Sequence, residues 1–386
     1  MLLEASGNSH ETDKQALLKF KSQVSEEKQV LLSSWNNSSP LCRWTGVTCG
    51  HKHKRVTGLH LRGFQLGGVI SPYIGNLSFL TSVDVTDNSF VGTIPGELGN
   101  LFRLQFLDMS SNLLEGGDSS QSVQLFKIGI PSELLGSLRK LVILDLGKNN
   151  LKGKFPASLG NLTSLRRLSF AENNLEGEIP DAIARLTQIE LFLVSDNNFS
   201  GVFPPAIYNL SSLRYLNLFS NYFSGNLRPD FGNLLPNLER CALGSNSLTG
   251  AIPSTLANIS TLQYLGMEFN SLTGSIPPSF ARLQYLQKLH LNNNYLGSFS
   301  PGNLEFLVAL TNCSQLQIIY AGFNRLGGDL PASIVNFSMN LIHFDLEKNE
   351  SRRSTNILVV QKSIERNNPS LFWKTSRIGG IKCLCK

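Results

Sequence analysis

The stretch Leu165–Pro180, LRRLSFAENNLEGEIP, constrains the fold of this chain more than any other. It sets Leu165, Leu168, Phe170 and Leu175 in the pattern L-x-x-L-x-L-x-x-N-x-L-x-G-x-I-P, with Asn173 as its polar position. The pattern returns along most of the 386 residues. Aligned on its Asn, the column reads Phe64 as a substitute, then Asn88, Asn112, Asn149, Asn173, Asn197, Asn221, Asn246, Asn270, Asn294, Asn324 and Asn349. A unit of about 24 residues cannot bury its apolar face alone, so stacked units must share one core. The alternating L-x-L segment predicts a short strand with one face inward, paired in parallel with the strand of the next coil. The Asn amide is expected to turn inward and satisfy backbone groups at the bend, building a ladder. About five apolar side chains per coil are expected in the core, each worth ~1.5–3 kcal/mol.

Most steps along the Asn column are 24 or 25 residues, within the range of leucine-rich repeats. Two steps differ. Asn294 to Asn324 spans 30, and the surplus in GSFSPGNLEFLVALTNC is expected to lengthen a convex helix without disturbing the ladder. Asn112 to Asn149 spans 37, and residues 117–129 read as a degenerate coil, either a bulged loop or a local break.

Ahead of the repeats, Ala16, Leu17, Phe20 and Val24 recur at helical spacing, with Thr12 or Asp13 available as N-cap. Trp35 and the segment PLCRWTGVTCG follow. Cys42 and Cys49 are either two free thiols or a disulfide. A disulfide is expected, because the first coil of a stack exposes its core edge and needs a cap of fixed shape. It implies an oxidising compartment. His51 and His53 lie in the charge run HKHKR without further ligand residues, so the run reads as a solvated loop and no metal site is expected.

The series Asp13-Lys-Gln-Ala16-Leu17-Leu18-Lys-Phe20-Lys21, Trp35 and Cys42-Arg-Trp44-Thr-Gly46-Val47-Thr-Cys49 resembles the N-terminal cap of plant leucine-rich repeat receptors. GTIP (92–95), GEIP (177–180), GAIP (250–253) and GSIP (274–277) resemble the plant-type repeat signature. There Gly allows a tight turn and Pro fixes φ before a short helical stretch. SFLTSVDVTDNSFVGTIPGELG and GVFPPAIYNLSSL look most like the receptor kinases that include the receptor for bacterial elongation factor Tu. The implied fold is an α/β repeat: a right-handed plant-type solenoid with a parallel sheet on its concave face, short helical or 3-10 segments on its convex face, and an N-terminal helical cap. The expected organisation is a residual leader at 1–10, the cap at 11–55, about twelve repeats at 56–351 with the last incomplete, and a basic, disordered tail at 352–386.

Of 34 basic and 28 acidic residues, eight and one lie in 352–386, which leaves 26 against 27 elsewhere. The net charge of +6 therefore belongs to the tail, and the body offers no phosphate-binding face for nucleic acid. The start has neither a basic n-region nor a long apolar core, so a complete signal peptide is not expected. No apolar run approaches the ~18 residues of a transmembrane segment. The repeat pattern ends after Asn349, so Leu341, Phe344 and Leu346 are expected at an uncovered edge unless the tail folds over them.

No nucleotide-binding glycine loop, His-Arg-Asp or Asp-Phe-Gly motif occurs. Asp84, Asp108 and Asp145 occupy strand positions between inward leucines, and Cys241 and Cys313 read as buried free thiols. The chain therefore reads as neither an enzyme nor a cofactor protein. What remains is surface. Positions one, two, four and six before the ladder residue face the concave side. They are small or charged early, as in Gly58, His60, Arg62, Ser82, Asp84, Thr86 and Asp87. Later they carry Tyr215, Phe219, Tyr264, Phe269, Tyr320 and Phe323, with Lys288 and His290 between. Aromatics beside charges suit a protein or peptide interface; equally, the rings pack on one another.

Sequons occur at Asn36, Asn37, Asn76, Asn161, Asn198, Asn209, Asn258, Asn312, Asn336 and Asn349. Five of them fall twelve residues before a ladder Asn, on one flank. The resemblance implies an extracellular or plasma-membrane recognition module of plant immune or developmental signalling. It would bind a peptide or protein with a co-receptor kinase. The alternatives are a secreted inhibitor of microbial wall-degrading enzymes and a truncated product without function.

Overall fold

The computed structural model of the chain describes residues 2–115, 137–349, 359–362 and 373–376. The irregular stretch 117–129 lies outside them, as does most of 352–386. The chain forms two compact units, Met1–Phe199 with Pro204–Leu210, and Ser200–Phe203 with Ser211–Lys386.

In the first unit, helix α1 (Leu2–Lys21) buries Ala16, Leu17 and Phe20. Its course corrects the expected cap. The helix runs through Thr12 and Asp13, and the Asp13 carboxylate accepts hydrogen bonds from Arg55 and the Val56 amide instead of capping a helix end. Phe20 meets Trp35, which stacks on Trp44 with centroids 5.6 Å apart. Each indole donates to a backbone carbonyl, Trp35 to Thr45 and Trp44 to Ser39. A Cys42–Cys49 disulfide closes this layer. Strand Val47–Cys49 then pairs antiparallel with Val56–His60, covering the edge from which the parallel strands proceed.

Strands Val56–His60, Ser82–Asp84, Phe106–Asp108, Ile143–Asp145, Arg167–Ser169 and Leu191–Leu193 follow in parallel register, one per coil. Phe106–Asp108 pairs directly with Ile143–Asp145, so the sheet runs unbroken across the 37-residue step. Asn149 carries the ladder across it. Its Oδ1 accepts from the Leu114 amide, and its Nδ2 donates to the carbonyls of Met109, Leu146 and Gly147.

In the second unit, Tyr215–Asn217, Arg240–Ala242, Tyr264–Gly266, Lys288–His290, Ile318–Tyr320 and His343–Asp345 form the equivalent parallel series. The coil between Asn246 and Asn270 buries Leu248, Ile252, Leu256, Ile259, Leu262, Leu265 and Met267. Seven large apolar side chains, not five, thus hold one coil, because the I-P step and the convex turn each add to those of the strand. The 30-residue coil absorbs its surplus in a 3-10 turn Pro301–Leu304 and a helix Glu305–Leu310, while its flanking strands stay in register.

The end of the chain departs from expectation. His343–Asp345 pairs antiparallel with Val359–Lys362, which pairs antiparallel with Trp373–Ser376. Leu341, Phe344 and Leu346 are at most 3% exposed. The edge of His343–Asp345 is thus covered by Val359–Lys362. An open parallel edge leaves backbone groups unpaired, and added strands satisfy them.

Two backbone devices recur. The Gly of the G-x-I-P step is left-handed, as at Gly250 with φ +75°, where an added Cβ would lie 2.8 Å from the Asn226 side chain. The residue before each ladder Asn is left-handed too, and this position holds Asp87, Glu172, Phe269 and Phe323, each with φ of 54–57°. A bulky aromatic is unfavourable there.

Candidate functional site: the open face of the main sheets

Alternation decides which side chains reach the open face. In each three-residue strand the middle side chain enters the core and the outer two point away. The parallel register then sorts the outward residues into files.

In the first unit one file runs His60, Asp84, Asp108, Asp145, Ser169. Its carboxylates are tied down locally. Asp84 accepts from the Thr86 amide, Asp108 from the amide and hydroxyl of Ser110, and Asp145 from the Gly147 amide. Burial, then the neighbouring Asp108 charge, raise the Asp145 carboxyl above its ordinary value. These acids turn the chain from strand into bend, as Asx turns do. Among the described residues no group of acids, His and Cys is arranged to hold a metal.

In the second unit the first outward file reads Tyr215, Arg240, Tyr264, Lys288, Ile318, His343. The second reads Asn217, Ala242, Gly266, His290, Tyr320, Asp345. Rings meet both diagonally between the files and along the second one. Tyr264 lies edge-on to His290 at 5.2 Å, His290 contacts Tyr320 at 4.9 Å, and Tyr320 contacts His343 at 6.3 Å. The Arg240 guanidinium sits 5.5 Å from the Tyr264 ring.

Of the residues singled out above, the fold therefore brings Tyr264, Lys288, His290 and Tyr320 together. Tyr215 stands apart, separated from Tyr264 by Arg240 in register. Phe219 is partly buried. Phe269 and Phe323 project at the strained bend and stay 54% and 42% exposed, with the Lys348 ammonium 4.7 Å from the Phe323 ring.

Sequence reasoning passed over Glu268, Arg240 and His343. Glu268 stands two before Asn270, a position whose alternation already faces outward, so it was findable. It is 8% exposed, and its Oε2 has no hydrogen-bond partner among the described residues. It lies against Gly244, where an added Cβ would meet its carboxyl carbon at 2.7 Å. Burial raises its carboxyl above the usual range. Burial, then the Glu268 charge, push the Tyr264 phenol up to about 12. Burial, then the Lys288 charge, lower His290 to about 4, so its imidazole is neutral at pH 7.

The free thiols Cys241 and Cys313 are fully buried, and burial raises them to about 12 and about 11. A nucleophile needs the opposite shift.

The sequons fall into three settings. Asn76, Asn161, Asn209, Asn258 and Asn336 each end a 3-10 turn and are exposed. Asn37, Asn198 and Asn312 are exposed as well, while Asn36 is half-buried and uses its side chain to close a local turn. Asn349 is the exception. It is buried, and its Nδ2 donates to the carbonyls of Ala321 and Leu346. Its place in the ladder removes it as a glycan acceptor in the folded chain.

These coils, ladder and cap define a plant-type leucine-rich repeat protein. The leucine-rich repeat N-terminal domain matches residues 10–50, and leucine-rich repeats match 79–101, 140–162, 164–186, 212–234, 261–283 and 285–307. The chain belongs with the ectodomains of plant leucine-rich repeat receptor-like serine/threonine kinases. It is 59% identical over 87% of its length to a putative receptor-like protein kinase of Arabidopsis thaliana, and 58% identical over 88% to the receptor-like kinase EFR of the same plant. It spans 34% of each relative, within their leucine-rich repeat part.

Among solved structures it resembles the ectodomain of the Arabidopsis receptor kinase GASSHO1/SCHENGEN3, in complex with CASPARIAN STRIP INTEGRITY FACTOR 2. The TM-score is 0.79 at 36% identity, over 87% of this chain and 38% of that one. It also resembles Arabidopsis HAESA, in complex with the peptide hormone IDA and the co-receptor SERK1, with a TM-score of 0.70 at 30% identity over 87% and 57%. No helix among the described residues is long and apolar enough to cross a membrane.

Proposed function

We propose that the chain is the ligand-recognition part of a plant receptor kinase and binds an extended peptide across the open strands of its second unit. The observation that carries this reading is the continuous row Tyr264, His290, Tyr320, His343, with Phe269 and Phe323 exposed beside it. Rings held in a rigid sheet lose little entropy on binding and offer large contact areas. The HAESA ectodomain, in complex with the peptide hormone IDA and the co-receptor SERK1, supports a peptide as ligand and a co-receptor as partner. The chain acts by binding and carries no catalytic step. It works at the outer face of the plasma membrane or in the apoplast, where a disulfide persists.

The test is capture of peptides from a displayed library by the wild-type chain and by the double variant Tyr264→Ala, Phe269→Ala. Peptides selected by the wild type are expected to lose about 2–4 kcal/mol of binding to the double variant. Undiminished capture by the variant would sink this reading of the face.

A further inference from the structure

The sequons that end 3-10 turns share one position and differ in what stands beside it. A 3-10 helix has three residues per turn, so side chains three apart lie over one another. Three residues before Asn161, Asn209, Asn258 and Asn336 stand Ser158, Ala206, Thr255 and Ser333. Three residues before Asn76, in the turn Pro72–Asn76, stands Tyr73. The Tyr73 side chain is 48% exposed, and Asn76 on the same face is exposed as well.

The surroundings of this turn differ too. On one side it packs on the next coil so closely that a Cβ on Gly75 would lie 2.4 Å from the Glu97 carbonyl oxygen. On its other side stands helix α1 in place of a coil. An open groove of about 430 Å³ lies at that junction. Glu11, Gln15 and Lys19 of α1 line it together with Tyr73 and Asn76. Gln15 donates to Glu11 Oε1 at 2.7 Å, which leaves the remaining oxygens of the pair as acceptors.

We propose that this groove seats the innermost sugar of an N-linked glycan on Asn76, an N-acetylglucosamine, against the ring of Tyr73. The inference rests on the extracellular placement given above and is independent of the peptide-binding face. The point of attachment lines the groove, so the tether makes docking intramolecular and a weak contact suffices. The C–H bonds on the face of the sugar ring are slightly positive and suit the negative face of an aromatic ring. Its hydroxyl and acetamide groups are donors for the oxygens of Glu11 and Gln15. The sugar thereby joins helix α1 to the first coil and becomes part of the cap.

The test is NMR of the full chain secreted from a glycosylating host, with carbon-13 in its sugars and site occupancy read by glycopeptide mass spectrometry. Asn76→Gln assigns the Asn76 glycan by removing its signals. The innermost sugar on Asn76 is expected to show nuclear Overhauser contacts to the Tyr73 ring. Its ring protons should also lie upfield of those of the same sugar on Asn161, where Ser158 replaces the tyrosine. Tyr73→Ala is expected to keep Asn76 occupied and abolish both effects. Should that variant fail to fold, the comparison of Asn76 with Asn161 in the wild type decides alone. Sugar protons on Asn76 that match those on Asn161, or an Asn76 left bare while Asn161 is occupied, overturn the seat alone. A secreted chain bare at every sequon overturns the seat together with the glycan expectation beneath it.

Discussion

Asp13 receives both Nε and Nη2 of Arg55, at 2.8 and 2.7 Å, and with the same carboxylate accepts the Val56 amide at 2.9 Å. One side chain of the N-terminal helix thereby fixes the first residue of strand Val56–His60. Asp13 is fully buried, and Arg55 is 9% exposed. Removing one partner leaves the other charge buried and unpaired, which costs about 3–5 kcal/mol. Asp13→Ala is expected to lose that much in a denaturant titration. Asp13→Ala with Arg55→Met should be less damaging than the sum of the single changes, since both ends of the pair go together.

The ladder predicts a local loss with a local signature. Asn270 donates to the carbonyls of Leu243, Met267 and Glu268 and accepts from the Leu248 amide. Asn270→Ala strands these groups out of water, at about 1–3 kcal/mol each where no relaxation occurs. Hydrogen exchange should show the Leu248 amide losing protection first. Uniform loss along the chain would contradict the ladder as a set of local clamps.

His290 gives a pH dependence of defined sign. Its folded value of about 4 lies below the ordinary 6.5, so between those values the unfolded chain binds the proton and the folded chain does not. Stability linked to neutral His290 is complete above about pH 6.5 and drains away as pH falls towards about 4. Thermal midpoints are expected to fall less steeply over that window in His290→Phe than in the wild type. The raised carboxyls of Asp145 and Glu268 act oppositely at the acid end, so the variant comparison isolates His290.

Phe269 predicts a gain in stability at the expense of binding. It holds φ +54° with its ring 54% exposed, so little burial offsets the left-handed backbone. Phe269→Gly relieves about 1 kcal/mol of that strain. A raised thermal midpoint together with weaker peptide capture is the expected pair of results.

The sequons predict uneven occupancy. Secreted in a plant host, Asn76, Asn161, Asn209 and Asn258 are expected to carry glycans at the ends of their turns. Asn349 is expected to carry none, because its amide nitrogen is engaged in the core. Glycopeptide mass spectrometry reads this directly, and a glycan on Asn349 would place that coil outside the folded stack.

The period, the strand positions and the ladder were legible in sequence because each coil repeats one local rule. Asn149 shows the limit. A step of 37 residues suggests a fault, yet the strands on either side pair directly, since register depends on the strand and the bend and not on the residues between. The sequence offers Asp13 as a helix cap because capping is a local property, but it caps nothing, and its partner Arg55 lies 42 residues away. Glu268 was hidden for a different reason. Its outward position is plain from alternation, but its burial depends on Gly244 in the preceding coil and on the pose of Tyr264. The covering strand Val359–Lys362 obeys no repeat period, so periodicity could not announce it.

The even register of the second unit has a metric consequence. Its strands recur about every 4.8 Å whether a coil has 24 residues or 30, because the surplus is spent in the segment Pro301–Leu310. An extended peptide laid across them advances about 3.4 Å per residue, or about 6.8 Å between side chains on one side. The two rulings drift out of phase and realign only after about seven strands and ten residues. Sheet and extended peptide are thus the two scales of a vernier: no single coil residue could be copied along the sheet to read successive positions of such a peptide, and each coil would need its own choice.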